Sequence, residues 1–410
     1  MPSTCHRTRL IVVACVAACG ALLGLLGVTA RAAPSSTPSA PFACVDGDQP
    51  SGARYRICMP NAFWNGDLVV YAHAYVKPGE PIAIPEDQLF IGGVSLPDVV
   101  TGQGYAFAVS SFRRNGLAVL EGIDDLVELV EIFEAGYGEP DRVILTGASE
   151  GGAVTTLGVE RRPDVFDGGL ALCGPNGDFQ RQVDYFTDFR AVFDVFFPGV
   201  IEGTPISITQ NLTETWETSF YSETVRPLII SPTYEITVNQ VISVTGAAIN
   251  STGFPTGTEQ TFDRLLWYNI YSTDDARDHL GGNPYDNLAR VYSGSADDAT
   301  LNNTIFRTAA DPAARALIST SYESSGALAV PLITMHTTGD EVVPYWHVAA
   351  YQQKVDAAGS GTLYEHRRFD RFGHCNFTAL EVQSAFVAIS ERANARSFYL
   401  PVILREAAAP

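Results

Sequence analysis

Apolar and polar positions along this chain follow two rhythms. The helical one is clearest between residues 117 and 135. There Val119, Leu120, Ile123, Leu126, Val127, Val130 and Phe133 recur at helical spacing, while Glu121, Asp124, Asp125, Glu128, Glu131 and Glu134 mostly take the opposite face. That predicts an amphipathic helix over Leu117–Ala135. The other rhythm is a series of short apolar runs bounded by turn residues: Tyr55–Met59, Leu68–Ala72, Tyr105–Ser110, Val143–Thr146, Gly168–Cys173, Val330–Thr337 and Thr362–Phe369. Further helices are expected from Ser149 to about Glu160, over Tyr345–Ala357 and over Phe377–Arg392. Buried strands alternating with helices predict the α/β class, a doubly wound, mostly parallel sheet covered on both faces.

From about Asn176 to Gly326 the alternation breaks. Aromatics crowd this stretch, among them Phe193, Phe196, Phe197, Trp216, Phe220, Tyr221, Trp267, Tyr268, Tyr271 and Tyr285. It reads as a large cap or lid inserted into the core, with helices at its ends. Most of the aromatics are expected to form the cap's own core, and the rest to line an apolar cleft. The expected organisation is core over 42–178, cap over 179–327, core again over 328–396 and a tail over 397–410, whose apolar part is too short to span a membrane. No internal repeat, Walker loop or dinucleotide-binding fingerprint is present.

The N-terminus changes the picture of compartment. His6, Arg7 and Arg9 precede an apolar run from Leu10 to Val28, and Ala30-Arg31-Ala32 fits a small-x-small cleavage site. Residues 1–32 therefore read as an export signal, with 33–41 as a Pro/Ser/Ala-rich linker. The alternatives are a membrane anchor and lipid attachment at Cys19, which would hold the protein at the cell surface; the apolar run continues past Cys19 to Leu26, against the latter. The expectation is a secreted protein with no stable membrane span after signal removal. Losing residues 1–32 takes 26 basic residues to 23 against 46 acidic ones, a net charge of −23. Such a surface repels phosphate backbones, so nucleic acid is not expected as a partner. Four cysteines remain: Cys44, Cys58, Cys173 and Cys375. An even number in an exported chain suggests two disulfides with three possible pairings, or buried free thiols. Joining Cys44 to Cys58 would close a short loop and leave Cys173 for Cys375.

Candidate chemistry centres on Thr146-Gly147-Ala148-Ser149-Glu150-Gly151-Gly152, a G-x-S-x-G motif between a strand and a helix. That is the layout of a nucleophile elbow, which exposes one serine hydroxyl on a tight turn. A serine needs a base, and the base an orienting acid. In a doubly wound sheet they arrive in the order serine, acid, histidine. Asp340, in a turn after a late strand, is the expected acid, with neighbouring Glu341 as fallback. His374 lies in a loop beyond the last strand and is the expected base; His336, His347 and His366 fall within strands or a helix and read as structural. An oxyanion hole needs two backbone donors. The Glu150 N–H is one, and the loop His73-Ala74-Tyr75 should supply the other, from Tyr75 first and Ala74 next. His73 itself is expected to brace that loop. Neither a metal nor an organic cofactor is called for.

The ordered set Ser149, Asp340, His374, with the elbow, the His73-Ala74-Tyr75 loop and the cap, resembles the α/β-hydrolase superfamily over about residues 42–175 and 328–396. The pair His374-Cys375 is also similar to the tannase and feruloyl-esterase group, where a cysteine beside the histidine forms a disulfide near the active site. There the partner cysteine directly precedes the serine; here that position is Ala148, and Cys173 at the end of the next strand would supply an analogous tie. The resemblance implies a secreted serine hydrolase acting on small or polymeric carboxylic esters through an acyl-enzyme, or alternatively a prolyl- or aminopeptidase-like serine peptidase.

Overall fold

The computed structural model describes residues 42–406, with side chains as far as residue 395. The expected signal and linker lie outside the described residues. Strands β1 (Phe42–Asp48), β2 (Arg54–Pro60), β3 (Asp67–Ala72), β6 (Ala106–Ser110), β7 (Arg142–Ala148), β8 (Gly168–Leu172), β9 (Leu332–Gly339) and β10 (Tyr364–Phe372) form one sheet in the order β1-β2-β6-β3-β7-β8-β9-β10. Two-residue strands β4 (Phe90–Ile91) and β5 (Val94–Ser95) make a separate hairpin. From β6 to β10 every neighbouring pair is parallel; β2 joins β6 antiparallel, and β1 joins β2 the same way.

The period-two pattern of the central strands sorts side chains to opposite faces. Leu68, Val70 and Ala72 of β3 pack with helices α2 (Val119–Tyr137) and α3 (Glu150–Arg161). Val69 and Tyr71 pack on the other face with α1 (Leu96–Gly102) and the last helix, through Phe386 and Ile389. Both faces of the sheet are therefore dry, as the continuous apolar runs require. This is the α/β-hydrolase fold.

Between β8 and β9 the regular elements are helices, from α4 (Phe179–Phe196) through the 24-residue helix Thr256–His279 to the helical turns ending at Tyr322. The stretch has its own apolar core, in which Phe193, Phe197, Trp216 and Tyr271 are buried. Two local expectations are corrected. β1 adds an edge strand that no apolar alternation announced, because most of its residues are exposed. The last helix runs Ala379–Glu406, not to Arg392, so the stretch read as a tail is helical through Glu406. Among the described residues no helix is long and apolar enough to cross a membrane.

Candidate active site

β7 delivers the chain to Ser149 and α3 starts at the next residue. The turn between them holds Ser149 at φ 57° and ψ −120°, a left-sided conformation that a side chain adopts only at a cost of about 1–3 kcal/mol. The flanking glycines are sterically required. A Cβ on Gly147 would strike the Gly151 carbonyl, and one on Gly151 would strike the carbonyls of Ala72 and His73 in the neighbouring loop.

The structure brings three expected residues together across the sheet's carboxyl end. His374 Nε2 lies 2.8 Å from Ser149 Oγ, and His374 Nδ1 lies 2.8 Å from Asp340 Oδ2 and 3.0 Å from Oδ1. Asp340 leaves β9 fully buried, and its Oδ1 accepts the Val342 and Val343 N–H groups at 3.0 and 2.8 Å. Burial alone would raise the Asp340 pKa, but the charge and hydrogen bonds of His374 and His336 hold it well below the usual carboxylate range. His336 is the partner the sequence did not reveal. It sits one pleat pair earlier on β9, with Nε2 2.7 Å from the Val343 carbonyl and 3.4 Å from Asp340 Oδ2. Glu341, the fallback acid, faces away from His374: its buried Oε1 accepts Gln260 Nε2 at 2.8 Å and pairs with Arg264 Nη1 at 3.2 Å.

The histidine loop is tied twice. Its Gly373 N–H and carbonyl bond the Gly339 carbonyl and the Thr337 hydroxyl. A disulfide joins Cys375 to Cys173 at the end of β8, and the other joins Cys44 to Cys58 across β1 and β2. Both cysteines of the first bond take positive φ, 47° and 52°, so the cross-link fastens two unusual turns directly beside His374.

In the His73-Ala74-Tyr75 loop, Gln88 acts as a clamp, accepting the Ala74 N–H at 2.7 Å and donating to the Tyr75 carbonyl at 3.3 Å. The Ala74 amide is thereby committed, which removes Ala74 from the expected donors and leaves Tyr75 beside Glu150. His73 is buried with its ring 4.0 Å from that of Phe112, a bracing position.

Above Ser149 the helix Thr256–His279 lowers Tyr268, which lines the same cleft walls as Ser149 and is close enough to influence it electrostatically. The ring stacks on Phe186 of α4 at 4.8 Å and meets Trp267 and Tyr75 at 5.0 and 5.7 Å. Burial raises its pKa to about 12 against the lowering pull of Ser149 and Arg264, so the hydroxyl stays protonated. Tyr268 borders two clefts that both reach Ser149. One is walled mainly by apolar groups such as Leu117, Phe179, Val183, Phe186 and Val343. The other is more polar and includes His374, Gln88, Asp87 and Arg264. Glu150, at the wall of the first cleft, is buried; burial raises its pKa to about 8 despite the Ala118 N–H at 2.9 Å, with Asp275 and Glu121 adding to the rise.

The chain is similar to several known proteins. A model of the prolyl oligopeptidase family matches residues 100–187, the segment carrying Ser149. The chain is 22% identical over 421 residues to an o-phthalyl amidase of Xanthobacter agilis, covering 88% of this chain and 89% of that protein. Similar solved structures include feruloyl esterase B from Aspergillus oryzae (15% identity, TM-score 0.48, 82% of this chain and 74% of that one). Another is an acylaminoacyl peptidase of Pyrococcus horikoshii (12% identity, TM-score 0.42), of which this chain, matched over 81% of its own length, spans 37%.

Proposed function

We propose that this chain, a serine hydrolase of the α/β-hydrolase fold, is an exported enzyme that cleaves carboxylic esters through an acyl-enzyme on Ser149. The observation that carries the reading is the hydrogen-bonded chain Ser149–His374–Asp340 opening onto the apolar cleft. His374 Nε2 removes the Ser149 proton as Oγ attacks the carbonyl carbon, while Asp340 orients the ring and balances its charge. The Glu150 and Tyr75 amides receive the developing oxyanion. The carbonyl re-forms as the bond to the alcohol breaks, and His374 hands its proton to the departing oxygen. Water then repeats the sequence and frees the acid. The apolar walls suit a hydrophobic acyl group, and the two disulfides suit an oxidising compartment.

A second reading, cleavage of an amide by the same steps, is favoured by the likeness to an o-phthalyl amidase over 88% of the chain. p-Nitrophenyl esters and acyl p-nitroanilides of the same hydrophobic acids, assayed beside Ser149→Ala, separate the two. Ester turnover abolished by the substitution is the expected result; turnover of anilides alone would install the amidase reading. Ester turnover that persists in Ser149→Ala would overturn both.

A further inference from the structure

We propose that the polar cleft beside His374 is a subsite for a leaving group that carries a carboxylate, with Arg264 as its anchor. The inference rests on the acyl-enzyme reading above and deepens it. During cleavage the proton leaves His374 Nε2 for the departing atom, so the leaving group must lie where His374 borders open space. His374 borders the polar cleft and not the apolar one. Tyr268, common to both, divides them at the nucleophile. The acyl part therefore occupies the apolar side and the leaving group the polar side.

Arg264 precedes Tyr268 by four residues on the same helix, so the two share a face about one 5.4 Å turn apart. Its side chain remains 42% exposed in the cleft. It is also held in place. Glu341 Oε1, wholly buried and steadied by Gln260, pairs with Arg264 Nη1. Among the described residues that is its one ion pair, which leaves most of the five guanidinium N–H donors uncommitted. A guanidinium fixed along one edge by a buried acid offers the other edge to a planar two-oxygen acceptor. The one acid that lines the cleft is Asp87, which is exposed, while Glu341 lies wholly buried behind Arg264. A chain with 46 acids against 26 bases would otherwise turn anions away, so a local cation is what admits one.

The test uses the full mature chain and two 3-phenylpropanoyl esters, of 4-hydroxybenzoate and of its neutral methyl ester. For each enzyme the kcat/KM ratio of acid to methyl ester is measured, each value divided by its spontaneous hydrolysis rate. Arg264→Gln is expected to lower that ratio about tenfold, the loss of one charge-assisted contact, through KM. Arg264→Lys should retain part of the preference, and thermal melting checks that both variants fold. A ratio unmoved by Arg264→Gln overturns the subsite while leaving the acyl-enzyme reading intact. An Arg264-dependent gain that appears only when the carboxylate sits on the acyl part overturns the assignment of sides. Absence of Ser149-dependent turnover of both esters removes the parent reading and the subsite together.

Discussion

The sheet-bearing core and the helical insertion supply different things to one site. Ser149, Asp340 and His374 all leave the carboxyl ends of β7, β9 and β10, and each is fixed by backbone: a strained turn, two amides on one carboxylate, a doubly tied loop. The insertion contributes Phe186, Arg264 and Tyr268 from two helices that pack on their own apolar core rather than on the sheet. Groups whose relative positions must hold to a fraction of an ångström are thus carried by the sheet, and groups that shape the cleft by the insertion. On the proposed mechanism the difference separates chemistry from selectivity, except where Tyr268 reaches down beside Ser149.

The largest expected effect tests the core side of that division. Asp340→Asn should lower kcat by about four orders of magnitude with little change in KM, because the amide favours the wrong imidazole tautomer; steady-state kinetics on a p-nitrophenyl ester read it directly. If the loss were confined to KM, the acid would belong to the cleft rather than to the chemistry. Next comes the contact that crosses the division. Tyr268→Phe keeps the ring stack on Phe186 and removes only the hydroxyl beside Ser149, and kcat is expected to fall about tenfold, the worth of one ordinary polar contact. An unchanged kcat would make the separation of core and insertion complete.

The last effect is on stability and not on rate, and it belongs to Glu150. Its folded pKa stands near 8, above the ordinary glutamate value of 4.5, so folding favours the protonated form. The contribution is fully present below pH 4.5 and is lost as pH rises from there to about 8, at about 1.4 kcal/mol per pH unit. Glu150→Gln should therefore match the parent in melting temperature at pH 4 and exceed it increasingly up to pH 8. Equal melting temperatures at both ends would mean that Glu150 is charged and paired in the folded state.

How much could be read in advance follows the same line. The central strands and α2 announce themselves because a dry sheet face demands apolar runs, and the order serine, acid, histidine follows from the winding of the sheet. β1 was illegible: its Val45 and neighbours are exposed at an edge, where the ladder rather than burial holds the strand. Gln88 and His336 were illegible for another reason. Each acts by touching a loop or carboxylate with ordinary hydrogen bonds, which leave no spacing in the sequence. Tyr268 stood among the many aromatics of the insertion, and nothing local distinguishes the one beside Ser149, 119 residues away, from Trp216 or Phe193 in the insertion's core.

The Cys173–Cys375 bond closes a ring of the chain whose ends are 202 positions apart, and the whole insertion lies inside that ring. In the chain-entropy view such a long closure withholds about 5 kcal/mol from the unfolded ensemble. The ring also makes the insertion topologically captive: one cut in any of its loops opens the circle without releasing either piece. Ser149 and Cys173 would stay on one arm and His374 and Cys375 on the other, still covalently one molecule. Wear in an environment rich in proteases is thereby kept from becoming dissociation of the site.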